Sequence, residues 1–215
     1  MKISDKMKEN IEVFFEENVQ PYNELMAYFK CAMMEVETKF RVLNEEFSLQ
    51  YDRNPISAIK TRLKTTKSIV EKLHRYNFPV TPESIEENLN DVAGVRIVCS
   101  FEKDVYSLAE ALLSQDDIEL ISKKDYIANP KENGYRSLHL IVAVPIYLVN
   151  EKRIMRVEIQ LRTISMDTWA TLEHQLRYKK NFEFTDEMAD ELYTCSKLSA
   201  DLDHKMDKLR KLLNV

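Results

Sequence analysis

The chain has 215 residues, of which 44% are apolar, and carries a formal net charge of −5. This length can bury one sizeable core, while the acidic balance argues against a general polyanion-binding surface and no apolar run approaches the roughly 20 residues of a membrane span. Its two glycines are too few for a Walker-type phosphate loop or a dinucleotide fingerprint, so any nucleotide phosphates must be held by Lys and Arg side chains. Residues 1–50 read as helix with a break at Pro21, and from Tyr22 the positions Leu25, Phe29, Val36, Phe40, Leu43 and Phe47 recur at helical spacing. A turn at Asp52-Arg53-Asn54-Pro55 leads to a second predicted helix over Ile56 to Tyr76. After Phe78-Pro79 and Thr81-Pro82 come a short helical turn, a buried strand over Val95 to Phe101, and a helix over Lys103 to Ser114. Strands follow at Ile118 to Ile127 and Ser137 to Val144, then at Arg156 to Thr163 beyond a loop near Leu148 to Lys152. Helices over Met166 to Lys180 and Asp186 to Leu213 complete an α+β architecture with a mixed sheet of about five strands.

Several polar stripes lie on these elements. On the predicted second helix Lys64, Ser68, Lys72 and Arg75 share a face, which is either a phosphate rail or a solvated basic surface. Asp91-Val92-Ala93-Gly94-Val95-Arg96 puts an acid before a buried strand and an arginine within it; Arg96 needs a partner, and either a ligand or Asp91 itself can supply one. In RVEIQLRT, Val157, Ile159 and Leu161 take one face while Arg156, Glu158, Gln160 and Arg162 take the other. Tyr135, Ser137 and His139 form a similar stripe, and a hairpin with a symmetric loop predicts His139 opposite Glu158. Together these stripes supply an aromatic face for a base, cations for phosphates and carboxylates for magnesium. The cysteines Cys31, Cys99 and Cys195 are widely spaced, and MKISDKMKENIE has no apolar centre of a signal peptide, which predicts reduced thiols in a cytoplasmic protein.

Arg62-x-Lys64-x-x-x-Ser68-x-x-x-Lys72, Asp91-x-x-Gly94-x-Arg96, Lys131-x-x-Gly134-Tyr135-x-Ser137-x-His139 and Glu158-x-Gln160-x-Arg162-Thr163 stand in the order found in alarmone synthetase domains of the RelA/SpoT type. Trp169-Ala170-Thr171-Leu172-Glu173-His174 and Tyr178-Lys179 extend the match. The chain resembles the small alarmone synthetases of that family, in its DVAGVRIVCSF and NPKENGY wording the RelP (YwaC-like) branch more than RelQ.

The resemblance implies a nucleotidyltransferase-like domain spanning 1–215, with N-terminal helices in 1–50, a catalytic core in 51–180 and a C-terminal oligomerisation helix in 181–215. It implies transfer of the β,γ-pyrophosphate of ATP to the 3′-hydroxyl of GTP or GDP. Asp91 and Glu158 would be the catalytic pair and would hold Mg2+; Arg62, Lys64, Ser68, Lys72, Arg75 and Arg96 would bind ATP; Lys131, Tyr135, His139, Gln160 and Arg162 would bind GTP. Glu173 and His174 would buttress the pocket. No histidine precedes an aspartate, which argues against the hydrolase activity of longer relatives, and Ala58 and Asp167 replace the aromatic and asparagine of product-activated members. The expected partners are the substrates and a homotetramer, without membrane, obligatory nucleic acid or ribosome. The rival from another class is a non-catalytic nucleotide sensor, which the presence of both Asp91 and Glu158 disfavours.

Overall fold

The computed structural model describes residues 5–51, 53–177 and 184–213. Tyr178 and Lys179 of the extended match, Asp52 of the predicted turn and Lys180 at the predicted end of the penultimate helix lie outside the described residues. Among the described residues no helix is long and apolar enough to cross a membrane. The elements run α1 (Asp5–Tyr51), β1 (Ile56–Leu63), α2 (Thr66–Arg75), α3 (Pro82–Asn88), β2 (Ala93–Cys99) and α4 (Glu102–Leu113). They continue with β3 (Glu119–Asp125), β4 (Leu138–Tyr147), β5 (Lys152–Thr163), α5 (Ile164–Arg177) and α6 (Asp186–Leu213). The five strands form one mixed sheet in the order β1-β2-β5-β4-β3. Only β2 and β5 are parallel; the other neighbours are antiparallel.

Two of the expected boundaries are corrected. Helix α1 runs through Pro21 without a break. An interior proline costs about 3 kcal/mol, but Tyr22, Leu25 and Phe29 immediately beyond it are buried in the core, and that anchorage outweighs the local penalty. The second predicted helix is instead a strand followed by a shorter helix. Residues Ile56 to Leu63 add an edge to β2, with Lys60 opposite Arg96 and Arg62 opposite Gly94. The β-branched Ile56, Ile59 and Thr61 suit that role, and tertiary pairing overrides the helical spacing of the lysines. Helix α2 begins only at Thr66, where Thr65 caps it by accepting from the Ser68 backbone N–H.

One face of the sheet is apolar. Val157, Ile159 and Leu161 of β5, Val95 and Ile97 of β2, and Leu138, Leu140 and Val142 of β4 are all nearly inaccessible. They join one core cluster with Val36 and Phe40 of α1 and Leu108 and Leu112 of α4. The alternation of period two then leaves Arg96, His139, Glu158 and Gln160 on the other face. The polar face of RVEIQLRT is therefore the wall of a cleft, not a solvated exterior.

The β4–β5 hairpin closes at Tyr147 opposite Lys152. Both strands run further toward the turn than expected, which shifts the register: His139 lies opposite Gln160, and Glu158 opposite Ile141. A shift of two residues preserves the face, so His139 and Glu158 remain neighbours on a diagonal.

Candidate active site

A cleft of about 430 Å³ is lined by Lys60, Arg62 and Lys64, by Asp91 and Arg96, and by Glu158 and Gln160. Asp91 sits in the short link between α3 and β2, and both of its oxygens meet cations. Lys64 Nζ donates to Oδ2 at 2.7 Å, and Lys72 Nζ lies 2.9 Å from Oδ1 as an ion pair. Burial would raise the Asp91 carboxyl; the hydrogen bonds and attraction of Lys64 and Lys72 outweigh it and hold the group below the usual carboxylate range. Asp91 and Arg96 do not pair with each other, which settles the question left by their proximity in sequence. Lys64, Ser68 and Lys72 are not one helical face either, because Lys64 precedes the N-cap of α2. The turn into α2 nevertheless brings Lys64 and Lys72 onto the same carboxylate. Ser68 closes that turn with Thr65, and Arg75, exposed in the last turn of α2, is not among the residues lining the cleft.

The partner of Arg96 is Asp167, in the first turn of α5. Its Oδ1 accepts from Arg96 Nη1 at 3.2 Å and Arg162 Nη1 at 3.3 Å, and its Oδ2 accepts from Lys60 Nζ at 2.8 Å. Lys60 and Arg96 are directly opposite on β1 and β2, where like charges destabilise a sheet, and Asp167 compensates them. Burial pushes the Asp167 carboxyl up, but Lys60, Arg96 and Arg162 together bring it below its ordinary value. Sequence reasoning placed neither Lys60 nor Asp167 in the site. Reading β1 as a strand would have revealed Lys60 beside Arg96; the one signal for Asp167 was an acid following a cation-rich strand end.

The other side of the site is built around Tyr135. Its hydroxyl accepts from Arg162 Nη2 at 2.5 Å and lies 2.8 Å from His139 Nε2. Arg162 Nη2 also donates to Gln160 Oε1 at 3.0 Å, and Gln160 Nε2 donates to Glu158 Oε2 at 2.9 Å. A continuous hydrogen-bonded chain thus joins Glu158 to the Tyr135 ring. Lys131 Nζ stands 4.9 Å from the Tyr135 ring centroid and 4.6 Å from that of Tyr126, a further residue that sequence reasoning missed. Tyr126 packs edge-on against Tyr135 and His139. Ser137 departs from the expected stripe: it is fully buried and donates to the Leu161 carbonyl at 3.1 Å. Glu173 Oε1 accepts from Asn133 Nδ2 at 3.4 Å, whereas His174 is exposed.

Burial, reinforced by Arg162, Lys131, Lys124 and Arg96, pushes His139 down to about 3, so its imidazole is neutral near pH 7. The other ring nitrogen, Nδ1, stands 3.7 Å from Glu158 Oε1. Arg96 Nε and Arg162 Nε are buried and donate to no acceptor among the described residues. Buried donors left in this way are normally matched by a ligand or water. The cleft therefore offers cations and two carboxylates, and the hydrogen bonds of Gln160 and Arg162 join it to the aromatic face of Tyr135.

Known proteins share this sequence pattern and fold. Residues 61–183 match the family model described as a region found in RelA/SpoT proteins. The chain is 42% identical to the GTP pyrophosphokinase YwaC of Bacillus subtilis, over 88% of this chain and 90% of that protein. Among solved structures, small alarmone synthetase 1 from Bacillus subtilis superposes with a TM-score of 0.81 at 32% identity, covering 90% of this chain and 98% of that one. The same enzyme bound to its product pppGpp gives a TM-score of 0.78 at 33% identity, covering 94% and 98% of the two chains.

Proposed function

The chain belongs to the RelA/SpoT family, and from that membership and the cleft geometry we propose that it is a GTP pyrophosphokinase. It transfers the β,γ-pyrophosphoryl group of ATP to the 3′-hydroxyl of GTP or GDP, forming pppGpp or ppGpp and releasing AMP. The observation that carries this reading is the placement of Asp91 and Glu158 on one cleft, between a cation set on one side and the Tyr135 cluster on the other.

In the reaction the new bond joins O3′ of the guanosine nucleotide to the β-phosphorus of ATP. The bond from that phosphorus to the oxygen bridging to the α-phosphate breaks, and AMP leaves with that oxygen. Glu158 takes the hydroxyl proton. Its Oε2 is engaged by Gln160, which fixes the carboxylate and leaves Oε1 for the proton. Neutral His139 places no cation beside that oxygen. Lys60, Arg62 and Lys64 line the ATP side, with Lys72 beside them on Asp91; phosphates entering there compete with Asp91 for Lys64 and Lys72 and with Asp167 for Lys60. Arg62 and Arg96 take the adenine, and Tyr135 takes the guanine with Lys131, His139, Gln160 and Arg162 around it.

Among the described residues no cluster of three or more His, Cys, Asp or Glu side chains could hold a metal alone. Magnesium asks for less, because it commonly uses one or two carboxylates together with substrate phosphates. Asp91 and Glu158 line the same cleft, a carboxylate pair that fits that requirement, and they would hold the ion. When bound it supplies positive charge at the transferring phosphates.

The division between the two nucleotide sides is tested by binding measurements. Tyr135→Ala is expected to weaken guanosine nucleotide binding by about 1–3 kcal/mol through lost stacking. Tyr135→Phe, which keeps the ring but drops the contacts to His139 and Arg162, should cost less, and Arg62→Ala should weaken ATP more than GTP. The opposite nucleotide preference would mean that the two sides are exchanged.

The same reading includes a homotetramer. Helix α6 buries Ser196 and Asp203 on its own subunit and leaves much of its apolar seam outside: Leu202, Met206 and Leu209 are about half exposed, and Leu213 more so. Grooves of about 590 and 620 Å³ beside α6 extend this apolar surface along α5. We expect Leu202→Glu/Leu209→Glu to break the assembly into smaller, folded species in light scattering. An unchanged tetramer would remove this seam from the interface.

A further inference from the structure

Helix α6 is attached to the loop that carries Tyr135 at the positions immediately before and after it. Gly134 takes the left-handed conformation with φ +85°, and a Cβ added there would lie 1.9 Å from Ser196 Oγ and 2.5 Å from Ser196 Cβ. The turn therefore presses directly on α6, and only glycine fits it. On the other side of Tyr135, Arg136 is largely buried. Its Nη1 donates to Asp203 Oδ2 of α6 at 3.1 Å, and its Nη2 to Glu102 Oε2 of α4 at 2.7 Å. Asp203 Oδ2 also accepts from Thr163 Oγ1, at the end of β5, at 3.0 Å. One carboxylate thus ties the Tyr135 loop to the strand that carries Glu158, Gln160 and Arg162. Within the loop the bonds are local: Gly134 N to Lys131 O at 2.8 Å, Lys131 N to Tyr135 O at 3.1 Å, and Tyr135 N to Asn133 Oδ1 at 3.2 Å. These bonds fold the turn but do not orient it toward the cleft.

We propose that Asp203, acting through Arg136, is a positioning residue for the guanosine nucleotide. It holds the 129–137 loop against β5 so that the Tyr135 ring stands beside Arg162 and His139. Asp203 lines no part of the Asp91–Glu158 cleft, so it acts on the nucleotide through the groups it holds and not by contact. The inference rests on Tyr135 serving the guanosine side, as proposed above. It gives α6 a role in nucleotide selection besides the one in assembly, because both functions lie on one helix.

The test is steady-state kinetics with ATP and GDP varied separately, for the parent, Asp203→Asn, Arg136→Gln, the double variant and Tyr135→Ala, with a thermal melt of each. Each single variant should raise KM for GDP about tenfold, as expected for weakening a buried charge-assisted contact, with KM for ATP and kcat within about twofold of the parent. The double variant should be no worse than the worse single one, since both remove the same contact. A fall in kcat with both KM values unchanged would reflect fewer folded molecules and overturn the proposal, as would a rise confined to ATP. Failure of both single variants to fold would likewise assign the pair to stability alone. Tyr135→Ala separates the two levels. If it leaves KM for GDP unchanged, the assignment of Tyr135 fails; if it raises KM for GDP while Asp203→Asn and Arg136→Gln do not, only the positioning role fails.

Discussion

Glu158→Gln is expected to lower turnover by at least about a hundredfold while folding and nucleotide binding stay nearly intact. The substitution keeps the size and shape of the side chain and can preserve the contact with Gln160 by an amide reorientation. It removes the proton acceptor for the 3′-hydroxyl and one of the two carboxylates available to magnesium. The apolar face of β5 is untouched, with Val157 and Ile159 on either side fully buried, so a folding defect is not expected. Single-turnover assays beside nucleotide titrations separate the effects. Near-parental turnover would remove Glu158 from the chemistry, whereas a loss of binding equal to the loss of rate would make it a substrate-holding residue only.

Asp91→Asn should be at least as damaging, again by about a hundredfold or more, because the Asp91 carboxylate neutralises two lysines and offers an oxygen to the metal. Without it Lys64 and Lys72 lose the anion that now sits 2.7 and 2.9 Å from their ammonium groups. Their positive charge will still attract ATP, so KM for ATP should rise little or fall while kcat drops. The magnesium concentration giving half-maximal rate should increase. A parental magnesium dependence with reduced rate would place the metal elsewhere and leave Asp91 as a spacer of the two lysines.

Much of this site was legible because period-two alternation is a strong signal when one face is buried. RVEIQLRT assigns Glu158, Gln160 and Arg162 to one region however its neighbours are arranged, and His139 joins them once a hairpin is inferred. The exact register was not legible, since it depends on where the turn closes, and Tyr147 opposite Lys152 lies beyond the residues that signalled the strands. Strand β1 was hidden by its charge. Lys60, Arg62 and Lys64 suggested a basic helix, but an edge strand with one solvated side tolerates the same residues, and the ladder to β2 decided the outcome. Asp167 was hidden for a different reason. A helix-first-turn acid has an ordinary explanation in the helix dipole, and only the convergence of β1, β2 and β5 shows that its partners are Lys60, Arg96 and Arg162. The Arg136–Asp203 contact joins residues far apart in sequence, and neither belongs to a motif that would announce it.

The transfer itself is tested most directly by following the label from ATP carrying a radioactive γ-phosphate, incubated with magnesium, the purified chain and either GDP or GTP. The account predicts that label enters a guanosine nucleotide bearing a 3′-pyrophosphate, that AMP appears in equal amount, and that both products are lost together in Glu158→Gln. Label released as inorganic phosphate with ADP, or as free pyrophosphate with AMP and no guanosine product, would contradict it.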